Sequence, residues 1–320
     1  MLEMRDVSVR FGEVAAIRSA SLTVTEGDRI GLVGESGCGK SMMALTLMGM
    51  VPEAARVTGS IRLNGKELVG LPERALRRIR ARSIAMIFQE PMAALNPLRR
   101  IGETVMEPLL LHEGLSRNAA RARALALFEE VGIPEPEQRL RQFPHEISGG
   151  QRQRVLIALA LACNPALLIA DEPTTALDAN VALRITDLLV RLAEDRRMAL
   201  LFISHDLAAV TRATRDICVM YGGDIVERGP TREVLESPAH PYTKGLLAAR
   251  PRFDPAAPAR RRLPTIPGTV PQLADLAPGC RFSGRCAVEL AHCARTRPAA
   301  AAPGPGRSAA CHRLAAEIPA

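Results

Sequence analysis

Three short apolar runs, at residues 28–33 (Ile30, Leu32, Val33), 166–170 (Ala-Leu-Leu-Ile-Ala) and 198–203 (Met-Ala-Leu-Leu-Phe-Ile), lack the polar alternation of a half-exposed strand. Such runs read as strands buried on both faces, as in a parallel sheet. Segments 2–10, 20–25 and 60–63 do alternate, which predicts an antiparallel sheet flanking that core. Helical spacing occurs at 42–50, 72–80, 117–131 and 181–192, with Ser116 suited to N-cap the third of these and Gly132 just beyond its end. Residues 217–221, Gly222-Gly223 and 224–227 read as a hairpin. The pattern predicts an α/β fold with a parallel core sheet, an antiparallel β subdomain and a helical subdomain over about residues 90–161.

A chain of 320 residues can bury one large α/β core and a small appendage. No stretch reaches 18 consecutive apolar residues, and the first residues lack a signal peptide's apolar core. A soluble cytoplasmic chain is expected, with any membrane association supplied by partners. The composition shifts after about Ser237. Residues 251–320 hold 11 of the 24 prolines, and their ten Arg against four acids account for +6 of the net +8. A basic tail can serve nucleic acid, but with only Phe253 and Phe282 as aromatics in those residues, base stacking is poorly supported. Covering protein or facing anionic lipid is the ordinary alternative.

The chemistry concentrates at strand ends. After the first apolar run, Gly34-Glu35-Ser36-Gly37-Cys38-Gly39-Lys40-Ser41 leads into a helix, the strand–turn–helix context of a phosphate loop. Glycines let backbone N–H groups turn toward phosphate oxygens, the helix N-terminus adds partial positive charge, Lys40 supplies an ammonium and Ser41 offers a hydroxyl to Mg²⁺. The second run ends in Asp171-Glu172. Asp171 would hold the Mg²⁺ shell, and Glu172 would polarise the water that attacks a γ-phosphate. The third run delivers Ser204-His205-Asp206, where His205 can donate to a phosphate oxygen. A second glycine-rich helix start, Ser148-Gly149-Gly150-Gln151, lies 20 residues before Asp171. Ser148 is a good N-cap, and such a terminus suits an anion.

These residues resemble the ATP-binding subunit of an ABC transporter, a P-loop NTPase of ABC type. The resemblance implies that Phe11 stacks on adenine, residues Gly34, Glu35, Ser36, Gly37, Cys38, Gly39, Lys40 and Ser41 cradle the phosphates, and Gln89 touches the metal or attacking water. It also implies that Ser148, Gly149, Gly150 and Gln151 cover the nucleotide held by a partner domain, that Asp178 in Ala176-Leu177-Asp178 belongs to the Asp loop, and that His205 is the switch histidine. Phe11 stands where Tyr is common, and Ile147 where Leu usually precedes the signature. Residues 86–97, 143–146 and His240-Pro241-Tyr242-Thr243-Lys244-Gly245-Leu246-Leu247 are similar to the dipeptide, oligopeptide and nickel importer branch. That resemblance divides the chain into an ABC ATPase domain at 1–236 and a C-terminal extension at 237–320. It implies ATP and Mg²⁺ as cofactors, a second ATPase subunit (in this branch usually a related chain), two membrane permease subunits, an extracytoplasmic solute-binding protein, a place at the cytoplasmic face of the membrane, and peptide or nickel-chelate uptake. A soluble ABC ATPase acting on nucleic acid or ribosomes is the alternative, disfavoured by the lack of a tandem cassette or long insertion between Ser41 and Ser148. An exporter ATPase is disfavoured by the C-terminal segment.

Cys280, Cys286, Cys293 and Cys311 cluster in that extension. Their intervals lack the close pair that zinc usually takes. Some members of the importer branch with similar cysteines carry a 4Fe-4S cluster, which the resemblance favours over free thiols or zinc. Cys38, inside the phosphate loop, is a candidate reactive thiol, whereas Cys163 and Cys218 read as small core residues.

Overall fold

The computed structural model describes residues 1–89, 94–250 and 265–315. Its central element is a mixed sheet built from β3 (Arg29–Val33), β6 (Ile84–Ile87), β7 (Leu167–Asp171), β8 (Ala199–Ile203), β9 (Asp216–Tyr221), β10 (Asp224–Pro230), β11 (Ala300–Ala301) and β12 (Ser308–Ala310). The order is β11-β12-β10-β9-β3-β8-β7-β6. Pairs from β9 through β3, β8 and β7 to β6 are parallel, and those beyond β9 are antiparallel.

Burial explains why β7 and β8 carry no polar alternation: every residue in both is buried. Successive side chains point to opposite faces. Leu168, Ala170, Leu200, Phe202, Ile217, Val219 and Tyr221 enter one core. Leu167, Ile169, Leu201, Ile203, Cys218 and Met220 enter the other. The second core is closed by the antiparallel sheet β2-β1-β4-β5, from β1 (Leu2–Phe11), β2 (Val14–Val24), β4 (Ala55–Leu63) and β5 (Lys66–Glu67).

The helices are α1 (Lys40–Leu47), α2 (Glu73–Ile79), α3 (Ile101–His112), α4 (Arg117–Glu130), α5 (Pro136–Arg139), α6 (Gly149–Ala160), α7 (Ala179–Asp195), α8 (Leu207–Ala213), α9 (Thr231–Glu236) and α10 (Pro241–Ala248), with a last short turn at His312–Ala315. Helices α3 to α6 form the helical part expected over residues 90–161, of which 90–93 lie outside the described residues. Ser116 caps α4 as its sequence predicts, accepting from the Ala119 N–H at 3.3 Å.

The C-terminal segment joins the same body. β12 pairs with β10 through Glu227↔Ala309, and Tyr242 and Phe282 sit in the first core with Tyr221. Their rings pack edge-on, Tyr221 with Tyr242 at 4.7 Å and with Phe282 at 5.1 Å between centroids. Among the described residues, Arg281, Arg297 and Arg307 of this segment bond inside the protein. Arg297 meets Asp224 (3.2 Å), Arg307 meets buried Glu227 (3.0 Å), and Arg281 donates to the Ala15 carbonyl (2.9 Å) and to that of Gly222. For these three residues the arrangement matches a segment that covers protein.

Candidate functional site

Strand β3 ends at Val33, and the chain turns through Gly34 to Gly39 before α1 starts. Gly37 and Gly39 have φ of +77° and +105°, a region costly for any residue with a Cβ. At Gly34 a Cβ would collide with the Met220 carbonyl and the Cys38 sulfur, so the loop can lie this close to β9 only as glycine. Lys40 is 6% exposed and its Nζ folds back on the loop, donating to the carbonyls of Gly34 (2.8 Å) and Glu35 (3.1 Å). The ammonium is thereby held against the loop's own backbone. Cys38 is buried, and burial raises its thiol pKa. Both effects work against the reactivity its loop position suggests.

Asp171 closes β7 at 3% exposure. Burial pushes its carboxyl pKa up, a bond from Ser41 pulls it down, and the neighbouring Glu172 raises it again. One oxygen, Oδ1, is buried without a hydrogen-bond partner. A buried, unpaired carboxylate oxygen beside a serine hydroxyl fits a hard divalent cation that takes oxygen ligands. The residues present therefore fit Mg²⁺, with Ser41 and Asp171 supplying the protein side.

Glu172 follows in left-handed backbone, φ +47°, held there by its N–H to the Ile203 carbonyl at 2.9 Å. A non-glycine residue in this region stores about 1–3 kcal/mol, and such strain gathers at functional positions. The turn directs Oε2 to three groups: Gln89 Nε2 (3.2 Å), Thr175 Oγ1 (2.9 Å) and His205 Nδ1 (3.3 Å). Parallel strands β6, β7 and β8 thus converge their C-terminal ends on one carboxylate. Gln89 and His205 are exposed, His205 to 66%, so they face the solvent from which a water or nucleotide would arrive. Thr175 was not among the residues singled out from sequence; its signal is a hydroxyl one turn after the acidic pair.

Ser148 caps α6 in a reciprocal box, its Oγ accepting from the Gln151 N–H (3.3 Å) while Gln151 Oε1 accepts from the Ser148 N–H (3.1 Å). Gly149 and Gly150 lie against the start of α7 and the loop before it: a Cβ on Gly150 would come 2.9 Å from Val181, and one on Gly149 3.7 Å from Leu177. Asp178 caps α7 through the Val181 N–H at 3.0 Å. Among the described residues no hydrogen bond joins Ser148–Gln151 to the phosphate loop of the same chain. Phe11 stands half-buried at the end of β1, before the turn into β2, whose Ala16 carbonyl lies 3.1 Å from where a Cβ on Gly39 would sit.

Cys280, Cys286, Cys293 and Cys311 line one small cavity together with His240 and His312. Burial raises the Cys280 thiol to about 11, and the other three thiols add to the effect. The four are neighbours, yet among the described residues no group of three or more His, Cys, Asp or Glu side chains is placed to hold a metal ion. Cys163 and Cys218 are buried, with pKa values pushed to about 11 and about 12 by burial, as core thiols should be.

Known proteins place this geometry. Residues 17–175 match the ABC transporter family, and residues 226–293 match the oligopeptide/dipeptide transporter C-terminal region. A putative peptide import ATP-binding protein of Brucella melitensis is 47% identical over 297 residues, covering 89% of this chain and 88% of the relative. The oligopeptide transport ATP-binding protein OppD of Salmonella typhimurium is 44% identical over 322 residues, covering 99% and 95%. Among solved structures, a dimeric ATP-binding cassette in a post-hydrolysis state, bound to ADP and Pi, superposes with a TM-score of 0.64 at 29% identity, over 72% of this chain and 99% of that one. The chain belongs to the ABC transporter family, among the ATP-binding proteins that carry the oligopeptide/dipeptide transporter C-terminal region.

Proposed function

We propose that this chain is the ATP-hydrolysing subunit of a peptide importer, and that its ATPase unit spans 1–236 and its C-terminal extension 237–320. The observation that carries the reading is the Glu172 carboxylate: strained backbone aims it at Gln89, Thr175 and His205, one residue from the buried, unpaired Asp171 oxygen. In this reading Lys40 leaves its resting carbonyls to meet the β- and γ-phosphates, and N–H groups of the loop close around them. Ser41 and Asp171 hold Mg²⁺, which when bound spreads the charge that develops on the phosphate oxygens. Glu172 orients and deprotonates the attacking water, Gln89 positions the carboxylate and water, and His205 contacts the γ-phosphate side. Phe11 supplies the face for adenine, and Asp178 fixes the loop after Glu172.

Ser148, Gly149, Gly150 and Gln151 act on the partner's nucleotide. Their support is that they form a well-capped helix start which, among the described residues, makes no hydrogen bond to the phosphate loop of its own chain. Two ATPase chains, this one and a related second one, would then share two composite sites. Permease docking has its own support: Met86, Phe88, Ala94, Leu156 and Leu159 line an apolar groove next to Gln89, and Phe88 is 41% exposed. One permease subunit seated there, with a second on the partner ATPase, would hold the chain at the cytoplasmic membrane face and take peptide from an external binding protein. Among the described residues no helix is long and apolar enough to cross a membrane. Nickel chelates are the second solute class. For a 4Fe-4S cluster, the shared cavity of Cys280, Cys286, Cys293 and Cys311 speaks in favour and the absence of a convergent ligand set against; iron and acid-labile sulfide in the anaerobically purified chain decide it.

Reconstitution with its permease and binding protein tests the function. Peptide uptake should require ATP and vanish with Lys40→Ala. ATPase activity stimulated by nucleic acid but indifferent to permease and peptide would overturn the reading.

A further inference from the structure

Glu35, second residue of the phosphate loop, is gripped from the far end of the sequence. Its N–H donates to the Tyr242 hydroxyl at 2.8 Å. Its carboxylate accepts both terminal nitrogens of Arg285, at 2.7 and 3.1 Å. On the loop side, the Glu35 carbonyl accepts Lys40 Nζ (3.1 Å) and the Cys38 N–H (3.3 Å). One residue therefore ties the catalytic-type lysine to two side chains that lie more than 200 positions away. Arg285 is itself fixed, with Nε donating to the Pro267 carbonyl (2.8 Å), Nη1 to the Tyr221 hydroxyl (3.2 Å), and only 6% of its side chain exposed.

We infer that the C-terminal extension is a working part of the nucleotide site, with Arg285 and Tyr242 as positioning residues that hold the phosphate loop through Glu35. Two physical effects follow. A loop pinned on its outer face loses less conformational freedom when a polyanion binds on its inner face. The guanidinium also neutralises a carboxylate that would otherwise repel the phosphates at close range. Both effects act equally on bound substrate and transition state, so they should appear in KM rather than kcat.

The inference rests on the ATP-binding reading, and the measurements separate the two. In the assembled transporter, or the full chain if it turns over alone, Arg285→Ala should raise KM for MgATP about tenfold, the effect of one charge-assisted pair, with kcat within about twofold. Arg285→Lys, keeping the charge but not the two-pronged contact, should recover part of that loss. Tyr242→Phe keeps the ring and removes only the hydroxyl, and should raise KM about threefold; it carries the test if Arg285→Ala does not fold. An unchanged KM in Tyr242→Phe and in every folded Arg285 variant, whatever happens to their melting temperatures, would reduce the contact to ordinary packing and overturn the inference. A parent chain that binds no MgATP would sink the ATP reading itself, and this inference with it.

Discussion

Replacing Glu172 by Gln removes a base while leaving nearly everything else in place. The amide oxygen can still accept from Thr175 Oγ1 and Gln89 Nε2, now at 2.9 and 3.2 Å, and Gln tolerates the +47° φ no worse than Glu. The lost Glu172–His205 contact involves a histidine that is 66% exposed, so stability should change by less than about 0.5 kcal/mol. The chemical step should not be spared. A positioned general base contributes about 10²–10⁴-fold, or about 3–5 kcal/mol of barrier. Single-turnover hydrolysis of MgATP should therefore slow by that factor, with ATP affinity held within about twofold and a closed ATP-bound dimer accumulating. Hydrolysis at the parental rate would refute the assignment of Glu172. Parental turnover with weakened affinity would move the residue from catalysis to binding.

Other perturbations test separate parts of the account. Asp171→Asn removes a buried carboxylate whose pKa is already raised by burial, so the nucleotide-free chain should gain about 1 kcal/mol in thermal unfolding while losing its stabilisation by MgATP. Ser148→Ala deletes the α6 cap and should cost about 1 kcal/mol; hydrolysis in the assembled complex should fall much further than that stability loss explains. His240 is buried and neutral, accepting the Tyr242 N–H at 3.1 Å, and burial lowers its pKa from 6.5 to about 4. Its folded pKa is depressed, so the neutral form's stability is present above pH 6.5 and lost as pH falls toward 4. Between pH 7.5 and 5 the chain should lose about 2 kcal/mol by denaturant titration, and His240→Gln should flatten that acid limb.

The candidate-site elements and parts of their frame were legible because their signals are local. Gly34 to Ser41, the Asp171-Glu172 strand end, the Ser116 cap and the hairpin over residues 217–227 each declare themselves within a dozen residues. Strand β2 begins at Val14, earlier than alternation suggests, because Ala15, Ala16 and Ile17 are all buried beside a register shift in β1. Strand β4 starts at Ala55 rather than near Ser60, since its first half, mostly exposed, pairs with β1 and packs only Ala55 and Val57 against the second core. Helix α3 escaped notice because Gly102 and Pro108 argue against a helix; packing of Ile101, Val105 and Leu109 into the first core overrides them. The Glu35–Arg285 pair spans 250 residues, and no local pattern could announce it.

A composite nucleotide site shared between two chains is the central claim, and photo-crosslinking from a diazirine side chain placed beside Ser148 in the ATP-loaded Glu172→Gln complex tests it most directly. Mass spectrometry should find linked peptides that join Gly34–Ser41 of one ATPase chain to the Ser148–Gln151 region of the other, dependent on ATP and lost with Lys40→Ala. Linkages that never cross between chains, or that form equally without nucleotide, would contradict the account.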